Sequence, residues 1–215
     1  MHADSGCVQP PEQRSQPPLP DHAGEDQQAT LQRKLKQGRG LWGVDLRIVG
    51  EDGEVLPRDG KSSGALQVRG PWVSSAYFKN EGADVFTDDG WFDTGDIATL
   101  DAEGYLRLTD RAKDVIKSGG EWISSCDVEN AALLHPTVAA AAAIGVAHPH
   151  WGERPILYVQ PKPGTTVDAD AIRAFLANHL AKWCIPDEVY EIAALPLGAT
   201  GKVDKKRLRA IHNGN

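Results

Sequence analysis

Apolar and polar residues alternate in short runs through the first half of the chain, and this period of two predicts half-buried β-strands. VDLRIVG and ALQVRG are two such runs, and two others flank the tetrapeptide Asp101-Ala102-Glu103-Gly104. Because glycine can adopt the positive φ angle of a tight turn, this tetrapeptide predicts a β-hairpin. We therefore expect residues 41–109 to form a series of short antiparallel strands.

The second half of the chain changes to an alternation of helices and strands. Ser124 and Ser125 can cap a helix through DVENAALLH, which Pro136 ends, and Asp168 can cap a helix through DADAIRAFLANHLAKW. Alanine favours helix in VAAAAAIGVAH, but the short length of this run between two prolines favours a buried strand. The remaining predicted elements are the strands RPILYVQPKPG and DEVYEIAALP, the turn GATGK and the basic helix VDKKRLRAIH.

These patterns divide the chain into three segments and predict an α+β fold. Residues 1–28 are rich in Pro, Gln, Asp and Glu. We expect them to be disordered, because they cannot bury enough apolar surface to offset the entropy of ordering. Residues 29–109 are predicted to be a short antiparallel-strand remnant of a larger domain, with a helix at residues 29–37. Residues 110–215 are predicted to form a compact mixed α+β C-terminal domain.

Composition narrows the functional classes. The 215 residues carry 23 basic and 30 acidic side chains, a net charge of −7. This balance argues against a nucleic-acid surface and a polybasic membrane anchor, and no run approaches the roughly 18 apolar residues of a membrane span. The three cysteines form no C-x-x-C pair, so we expect no disulfide framework, no metal site and a cytoplasmic location. The first residues lack the basic-then-apolar pattern of a secretory signal.

Three short motifs could carry chemistry, and each has a purely structural alternative. In Asp93-Thr94-Gly95-Asp96, a carboxylate beside a glycine could accept hydrogen bonds from ribose hydroxyls, or the motif could be a polar turn. The basic run from Arg111 to Glu121 contains a Gly-Gly pair whose N–H groups could bind phosphate, or it could be a solvated hairpin. Lys202 follows a glycine-containing turn and could contact an anionic group, or it could be an ordinary surface lysine.

Taken together and in order, the motifs resemble the adenylate-forming acyl-CoA synthetase family, also called the AMP-binding family. The resemblance rests on GWFDTGD, YLRLTDRAKDVIKSGGEWIS and PLGATGKVDKKRLR, and it extends over about residues 29–211. The runs KQGRGLWGVDLRIVGEDGEVLP, LQVRGPWV and GGEWISS are most similar to bacterial fatty-acid and related medium- to long-chain acyl-CoA ligases.

The resemblance implies a two-step reaction that uses ATP, CoA and Mg. A carboxylate substrate, such as a fatty acid, reacts with ATP to give an acyl-adenylate and pyrophosphate, and the CoA thiol then displaces AMP. By the family pattern, Asp96 would hold the ribose hydroxyls and Arg111 would contact the ribose or phosphates. Lys202 would be the catalytic lysine that bridges the acyl carboxylate and the phosphate.

The same resemblance implies that the C-terminal domain rotates between the two steps. Asp110 matches the hinge of that rotation, and Gly119, Gly120 and Glu121 match the loop that faces the active site for thioester formation. A charged junction with small residues between two unlike segments is also a common place for a hinge.

The chain departs from the family pattern in what precedes residue 29. It contains no Gly/Ser/Thr-rich phosphate loop and no aromatic-Gly-x-Thr-Glu segment. We therefore expect a C-terminal portion of a ligase that lacks complete activity by itself. Two alternatives stay open: a non-catalytic docking or regulatory domain that acts with a separate large-domain chain, and an adenylating enzyme that loads a carrier protein.

Overall fold

The computed structural model describes residues 24, 26–80 and 82–214. Most of the segment predicted to be disordered, residues 1–28, lies outside the described residues. Its last two residues are helical, because the carboxylate of Asp26 accepts a hydrogen bond from the N–H of Ala29 and so caps helix α1 (Gln27–Lys34). The helix predicted at residues 29–37 therefore begins two residues earlier and ends at Lys34.

The first lobe consists of α1 and a five-stranded antiparallel sheet in the order β1-β5-β4-β3-β2. Its strands are β1 (Gly38–Arg39), β2 (Asp45–Val49), β3 (Ser63–Arg69), β4 (Phe92–Leu100) and β5 (Tyr105–Arg111). Two 3₁₀ turns, Phe78–Asn80 and Ala83–Val85, lie between β3 and β4. The sheet packs around Ile48, Leu66, Ala98 and Leu100. This confirms the antiparallel strands that the alternating pattern predicts.

The predicted β4–β5 hairpin is present, and its turn residues explain it. Asp101 accepts hydrogen bonds at Oδ1 from the backbone N–H groups of Glu103 and Tyr105. Gly104 has a φ angle of +83°, which a residue with a side chain rarely adopts. The turn therefore fixes the register that pairs Leu100 with Leu106.

The second lobe contains a mixed sheet and three helices. Its strands are β6 (Ile116–Ser118), β7 (Glu121–Ile123), β8 (Val138–His148), β9 (Gly152–Pro161) and β10 (Glu188–Glu191). The sheet order is β10-β9-β6-β7, with β8 also paired to β9. Its helices are α2 (Ser125–Leu133), α3 (Ala169–Leu176) and α4 (Lys205–His212). The two sheets and their helices confirm the α+β class.

The alanine-rich run forms strand β8, as its length between two prolines predicts. It pairs antiparallel with β9 from Val138 to His148. On one face Ala141 and Ala143 pack with side chains of α2 and α3, and on the other Ala142 and Ile144 pack with Leu208 of α4. Small side chains on both faces allow the helices to approach a strand that is buried from both sides, and this packing outweighs the helix propensity of alanine.

Helix α3 is shorter than predicted. It ends at Leu176, whereas the sequence pattern continues to Trp183. Ile172 and Leu176 are fully buried, as expected for one apolar face. A tight turn follows, and Lys182–Cys184 forms a separate 3₁₀ turn. Among the described residues, no helix is long and apolar enough to cross a membrane.

Candidate active-site cleft and the junction of the two lobes

The buried carboxylate of Asp110 joins the two lobes. Its backbone belongs to β5 of the first sheet, where it pairs with Ile97. Its side chain points into the second lobe, and Oδ2 accepts hydrogen bonds from the N–H and the hydroxyl of Ser125, each at 2.6 Å. Oδ1 accepts from the N–H of Arg111 at 2.7 Å. Asp110 is therefore anchored to the N-terminus of α2 by its side chain, while its backbone belongs to the first sheet.

An ion pair between Lys205 and Glu129 connects these hydrogen bonds to helix α4. The ammonium of Lys205 lies 2.5 Å from the Ser125 hydroxyl and 2.7 Å from Oε1 of Glu129. The same Glu129 oxygen accepts the N–H of Ala143 in β8. The side chains of Lys205 and Glu129 are only 11% and 19% exposed. Through Ser125, the start of α4 is thus tied to Asp110.

The predicted nucleotide-binding residues Asp96 and Arg111 lie side by side on the first sheet. They are paired across β4 and β5, and Nε of Arg111 lies 2.9 Å from Oδ1 of Asp96. The Asp93 carboxylate accepts the N–H of Gly95, which has a φ angle of +70°. This Asx turn exposes the backbone beside Arg111, whose side chain is 60% exposed.

Lys202 lies on a tight turn of the second lobe, next to the region around Arg111. The N–H of Gly198 donates to the carbonyl of Lys202 at 2.8 Å, and the N–H of Gly201 donates to the carbonyl of Gly198 at 3.0 Å. Asp204 then caps α4 through the N–H of Arg207. The exposed lysine is therefore fixed at its backbone by the turn and by the helix that follows.

The region around Arg111 and the turn that carries Lys202 meet at an open cleft of about 640 Å³. Its lining comes from the first lobe and the segment after Asp110 on one side and from the Lys202 turn on the other: Gly95, Arg111, Lys113, Asp114, Gly198, Thr200, Lys202, Val203 and Asp204. The structure therefore brings two of the predicted site residues, Arg111 and Lys202, to one cleft, and Asp96 is attached to it through its ion pair with Arg111.

Among the described residues, the cleft lining carries two lysines without an ion pair and one such carboxylate, Asp204, which caps α4. Arg111 pairs with Asp96, and Asp114 pairs with Arg209 at 3.2 Å. Lys113 and Lys202 form no ion pair with any other residue that the structure describes. Free ammonium groups at an open cleft suit an anionic group such as a phosphate or carboxylate. Asp114 lies in the basic run that the sequence indicates, but its ion pair with Arg209 was not predicted, because Arg209 is distant in the chain.

Gly119, Gly120 and Glu121 lie away from this cleft, at the tip of the β6–β7 hairpin. The N–H of Gly119 donates to the carbonyl of Trp151 at 2.8 Å. The resemblance to the acyl-CoA synthetases implies that this loop faces the active site for thioester formation. In the orientation seen here, the Lys202 turn borders the cleft and the glycine loop does not.

We predict that Gly119→Ala destabilises the second lobe more than Gly120→Ala does. Both glycines have positive φ angles, +61° and +87°, so alanine should cost about 1–2 kcal/mol at either position. A Cβ atom at Gly119 would also lie 2.7 Å from Cε3 of Trp151, whereas one at Gly120 would meet open space. Chemical unfolding of both variants should give the larger loss for Gly119→Ala, and equal losses would contradict the contact with Trp151.

The cysteines in this region are not activated thiols. Burial and the nearby Asp110 carboxylate raise the pKa of Cys126 to about 11. Burial also raises the pKa of Cys184. Since the thiolate is the nucleophile, both side chains are poor candidates for catalysis, in agreement with the absence of any nucleophile motif around them.

The polar side chains at the cleft are better suited to binding ATP than to holding a metal ion directly. Asp96 can accept from ribose hydroxyls, and the two free lysines can contact phosphates. Within the described part of the chain, no cluster of three or more His, Cys, Asp or Glu side chains could hold a metal ion. A magnesium ion that arrives on phosphate oxygens keeps several waters and needs no such cluster.

Comparison with known proteins agrees with this geometry. Residues 127–202 match the sequence family described as the AMP-binding enzyme C-terminal domain. The 3-methylmercaptopropionyl-CoA ligase of Ruegeria pomeroyi is 50% identical over 192 residues, which are 89% of this chain and 35% of that protein. The medium-chain-fatty-acid–CoA ligase of Ectopseudomonas oleovorans is 42% identical with the same coverage. The chain thus spans about a third of the length of the curated relatives it matches.

Solved structures show the same architecture. ATP-bound MatB from Rhodopseudomonas palustris superimposes with a TM-score of 0.72 at 32% identity, covering 83% of this chain and 36% of that one. The o-succinylbenzoate CoA synthetase of Bacillus subtilis, in complex with its acyl-adenylate intermediate, gives a TM-score of 0.72 at 32% identity, covering 85% and 37%.

Proposed function

Because the chain corresponds to a C-terminal portion of the adenylate-forming acyl-CoA ligase family, we propose that it supplies the catalytic lysine and the rotating lobe of such an enzyme. The reaction is ATP-dependent conversion of a carboxylate, with a fatty acid as the proposed substrate class, to its CoA thioester. The observation that carries the proposal is the cleft in which Lys202 of the second lobe and Arg111 of the first face the same space.

In the first step a carboxylate oxygen attacks the α-phosphorus of ATP, the bond to the bridging oxygen breaks, and pyrophosphate leaves. Negative charge is concentrated where the carboxylate and the phosphate meet. The ammonium of Lys202 would stabilise that charge, and the fixed turn beneath it limits the reorganisation that this requires. Asp96 would orient the ribose by accepting its hydroxyl hydrogen bonds, and Arg111 would hold Asp96 in place. Magnesium, when bound, would neutralise charge on the phosphate oxygens.

In the second step the CoA thiol gives up its proton to solvent and its sulfur attacks the acyl carbonyl carbon. A carbon–sulfur bond forms, and AMP leaves with the electron pair of the broken carbon–oxygen bond. We propose that the second lobe rotates about Asp110 so that Gly119, Gly120 and Glu121 replace Lys202 at the cleft. The anchoring of Asp110 to Ser125 supports this role, because the side chain would move with the second lobe while the preceding strand stays in the first sheet.

Exposed apolar side chains on the first lobe support the proposal that another polypeptide surface packs against this lobe. Trp42, Trp72 and Phe78 are 79%, 70% and 82% exposed, and the indole N–H of Trp72 donates to the carbonyl of Trp42. Adjacent exposed tryptophans such as Trp42 and Trp72 are typical of an interface. We propose that the large domain of the ligase covers this surface, either in the same polypeptide or as a separate chain.

A chimera tests the proposal. The matching C-terminal part of the Ruegeria pomeroyi ligase is replaced by residues 41–214 of this chain, and carboxylate-dependent ATP–pyrophosphate exchange and CoA thioester formation are measured. We expect both activities. A folded chimera without exchange would overturn the proposed role. Adding this chain in trans to the large domain of the relative tests docking, and replacing CoA by a pantetheine-bearing carrier protein tests the alternative acceptor.

A further inference from the structure

Strand β6, which leads into Gly119 and the rest of the glycine loop, has little backbone pairing with the strands of the core. It is three residues long, and among the described residues its register with β9 is one pair, Ser118 with Gly152. The N–H of Gly119 adds a hydrogen bond to the carbonyl of Trp151. Ile116 anchors the start of the strand in the core. The contacts at the end of the strand therefore determine how firmly the loop is held.

Two consecutive side chains of β9 hold the end of β6. Oε2 of Glu153 accepts the backbone N–H of Lys117 at 3.0 Å, and Nη1 of Arg154 donates to the hydroxyl of Ser118 at 3.2 Å. Ser118 is only 5% exposed, so this hydrogen bond lies in the protein interior. Gly145 leaves space for the carboxylate, because a Cβ atom there would lie 2.7 Å from Oε2 of Glu153.

The other donors of Arg154 fix the guanidinium itself. Nη1 also donates to the carbonyl of Trp183 at 2.8 Å, and Nη2 donates to the carbonyl of Ile185 at 3.1 Å. Nε and Nη2 donate to the carboxylate of Asp187 at 3.1 and 2.8 Å. All five N–H groups thus have an acceptor, and the side chain is only 13% exposed. A guanidinium bonded at every donor is a rigid support for the Ser118 hydroxyl.

We propose that Arg154 is a positioning residue for thioester formation. Through Ser118 it fixes the backbone of Gly119 and Gly120 relative to β9. The proposal rests on the proposed function, because it takes the glycine loop as the part of the second lobe that serves this step. Both glycines have positive φ angles, and a glycine backbone without fixed neighbours samples many conformations. Holding the loop in one of them removes that entropy cost from the reaction.

Amide hydrogen exchange in the full chain without ligands tests whether Arg154 holds the loop. Ser118→Ala removes the link to the loop and leaves the other four donors of Arg154 bonded. The amide of Gly119 should then exchange roughly tenfold faster, the usual effect of losing a hydrogen bond to a charged group. Amides in the centre of the β8–β9 pairing should keep their rates, because the core is unchanged. Arg154→Lys should increase Gly119 exchange at least as much, since an ammonium cannot replace the planar fork.

Thr165→Val is the matched control for Ser118→Ala. It removes another hydroxyl of the second lobe, one that donates to the carbonyls of Thr137 and Lys162 in the turn after β9. Its effect on Gly119 exchange should be less than about twofold. Unchanged Gly119 exchange in Ser118→Ala would overturn the proposal, and so would an equal increase in Thr165→Val.

The two half-reactions of the chimera test the consequence for catalysis. Ser118→Ala should reduce thioester formation from added acyl-adenylate and CoA roughly tenfold, and it should change ATP–pyrophosphate exchange by less than about twofold. Equal losses in both half-reactions, or unchanged thioester formation with a loosened Gly119, would contradict a positioning role. A wild-type chimera without ligase activity would instead refute the proposed function, while amide exchange still reports whether Arg154 holds the loop.

Discussion

Replacing Lys202 with alanine should reduce carboxylate-dependent ATP–pyrophosphate exchange in the chimera roughly 100- to 1,000-fold, the usual loss when one preorganised charge-stabilising group is removed. The ammonium has no ion pair with another described residue and lines the cleft together with Arg111. Since Lys202 is exposed on a turn, its removal should leave the unfolding free energy nearly unchanged.

The second half-reaction provides the internal control for this variant. In the proposed rotated orientation Lys202 would no longer border the cleft, so thioester formation from added acyl-adenylate and CoA should fall by less than about threefold, which is within the usual scatter of a remote surface substitution. Lys202→Arg keeps the charge but changes the shape of the donor, and it should recover only part of the exchange. Equal losses in both half-reactions would show that Lys202 acts on lobe structure instead of on the first transition state.

Replacing Lys205 with alanine should destabilise the second lobe by about 2–3 kcal/mol, because it removes the cation from a largely buried carboxylate. Glu129 would keep only its hydrogen bond from the N–H of Ala143, and the Ser125 hydroxyl would lose its contact to α4. Urea unfolding of the variant should show a lower midpoint with an unchanged slope. The start of α4 would also be released from the pivot, so we expect faster amide exchange around Asp204.

Lys206→Ala is the matched control for this prediction. Lys206 is the next residue of the same helix, it is exposed, and it makes no ion pair with another described residue. Its replacement should change the unfolding free energy by less than about 0.5 kcal/mol. In a double-mutant cycle, Glu129→Gln should cost less in the Lys205→Ala background than in the wild type, since the amide no longer leaves a buried cation unpaired. Additive losses would contradict a coupled pair.

Local patterns predicted most of the secondary structure, and the exceptions have a common cause. The sequence predicted the alternating strands β2, β3, β4 and β5 and the capping residues Ser124 and Asp168. Each of these features depends only on neighbours within a few residues. Helix α3 was predicted too long because the apolar spacing continues past Leu176, whereas the chain turns there to carry Cys184 against the core beneath it. Tertiary packing ended a helix that periodicity alone would extend.

The motifs placed Asp96, Arg111 and Lys202 in one candidate site, but the sequence could not show that Lys113 and Asp114 share the cleft or that Arg209 pairs with Asp114. Arg154 gave no signal at all, since a single arginine in a strand is ordinary and its partners Ser118 and Asp187 lie far from it in the chain. The assignment of each site residue to a catalytic role stays a prediction until the variants are measured.

The sequence by itself determined where strands, helices and turns form, because these depend on side-chain period and capping over a few residues. It also carried the resemblance to the adenylate-forming acyl-CoA synthetases, because several long motifs agree in order. Only the tertiary structure decided which of those residues meet. It set Lys202 at the cleft and the glycine hairpin away from it, tied Asp110 to α4 through Ser125, and brought Arg154 onto Ser118. The physical reason is that contacts between distant segments depend on the packing of whole lobes, which no local pattern encodes.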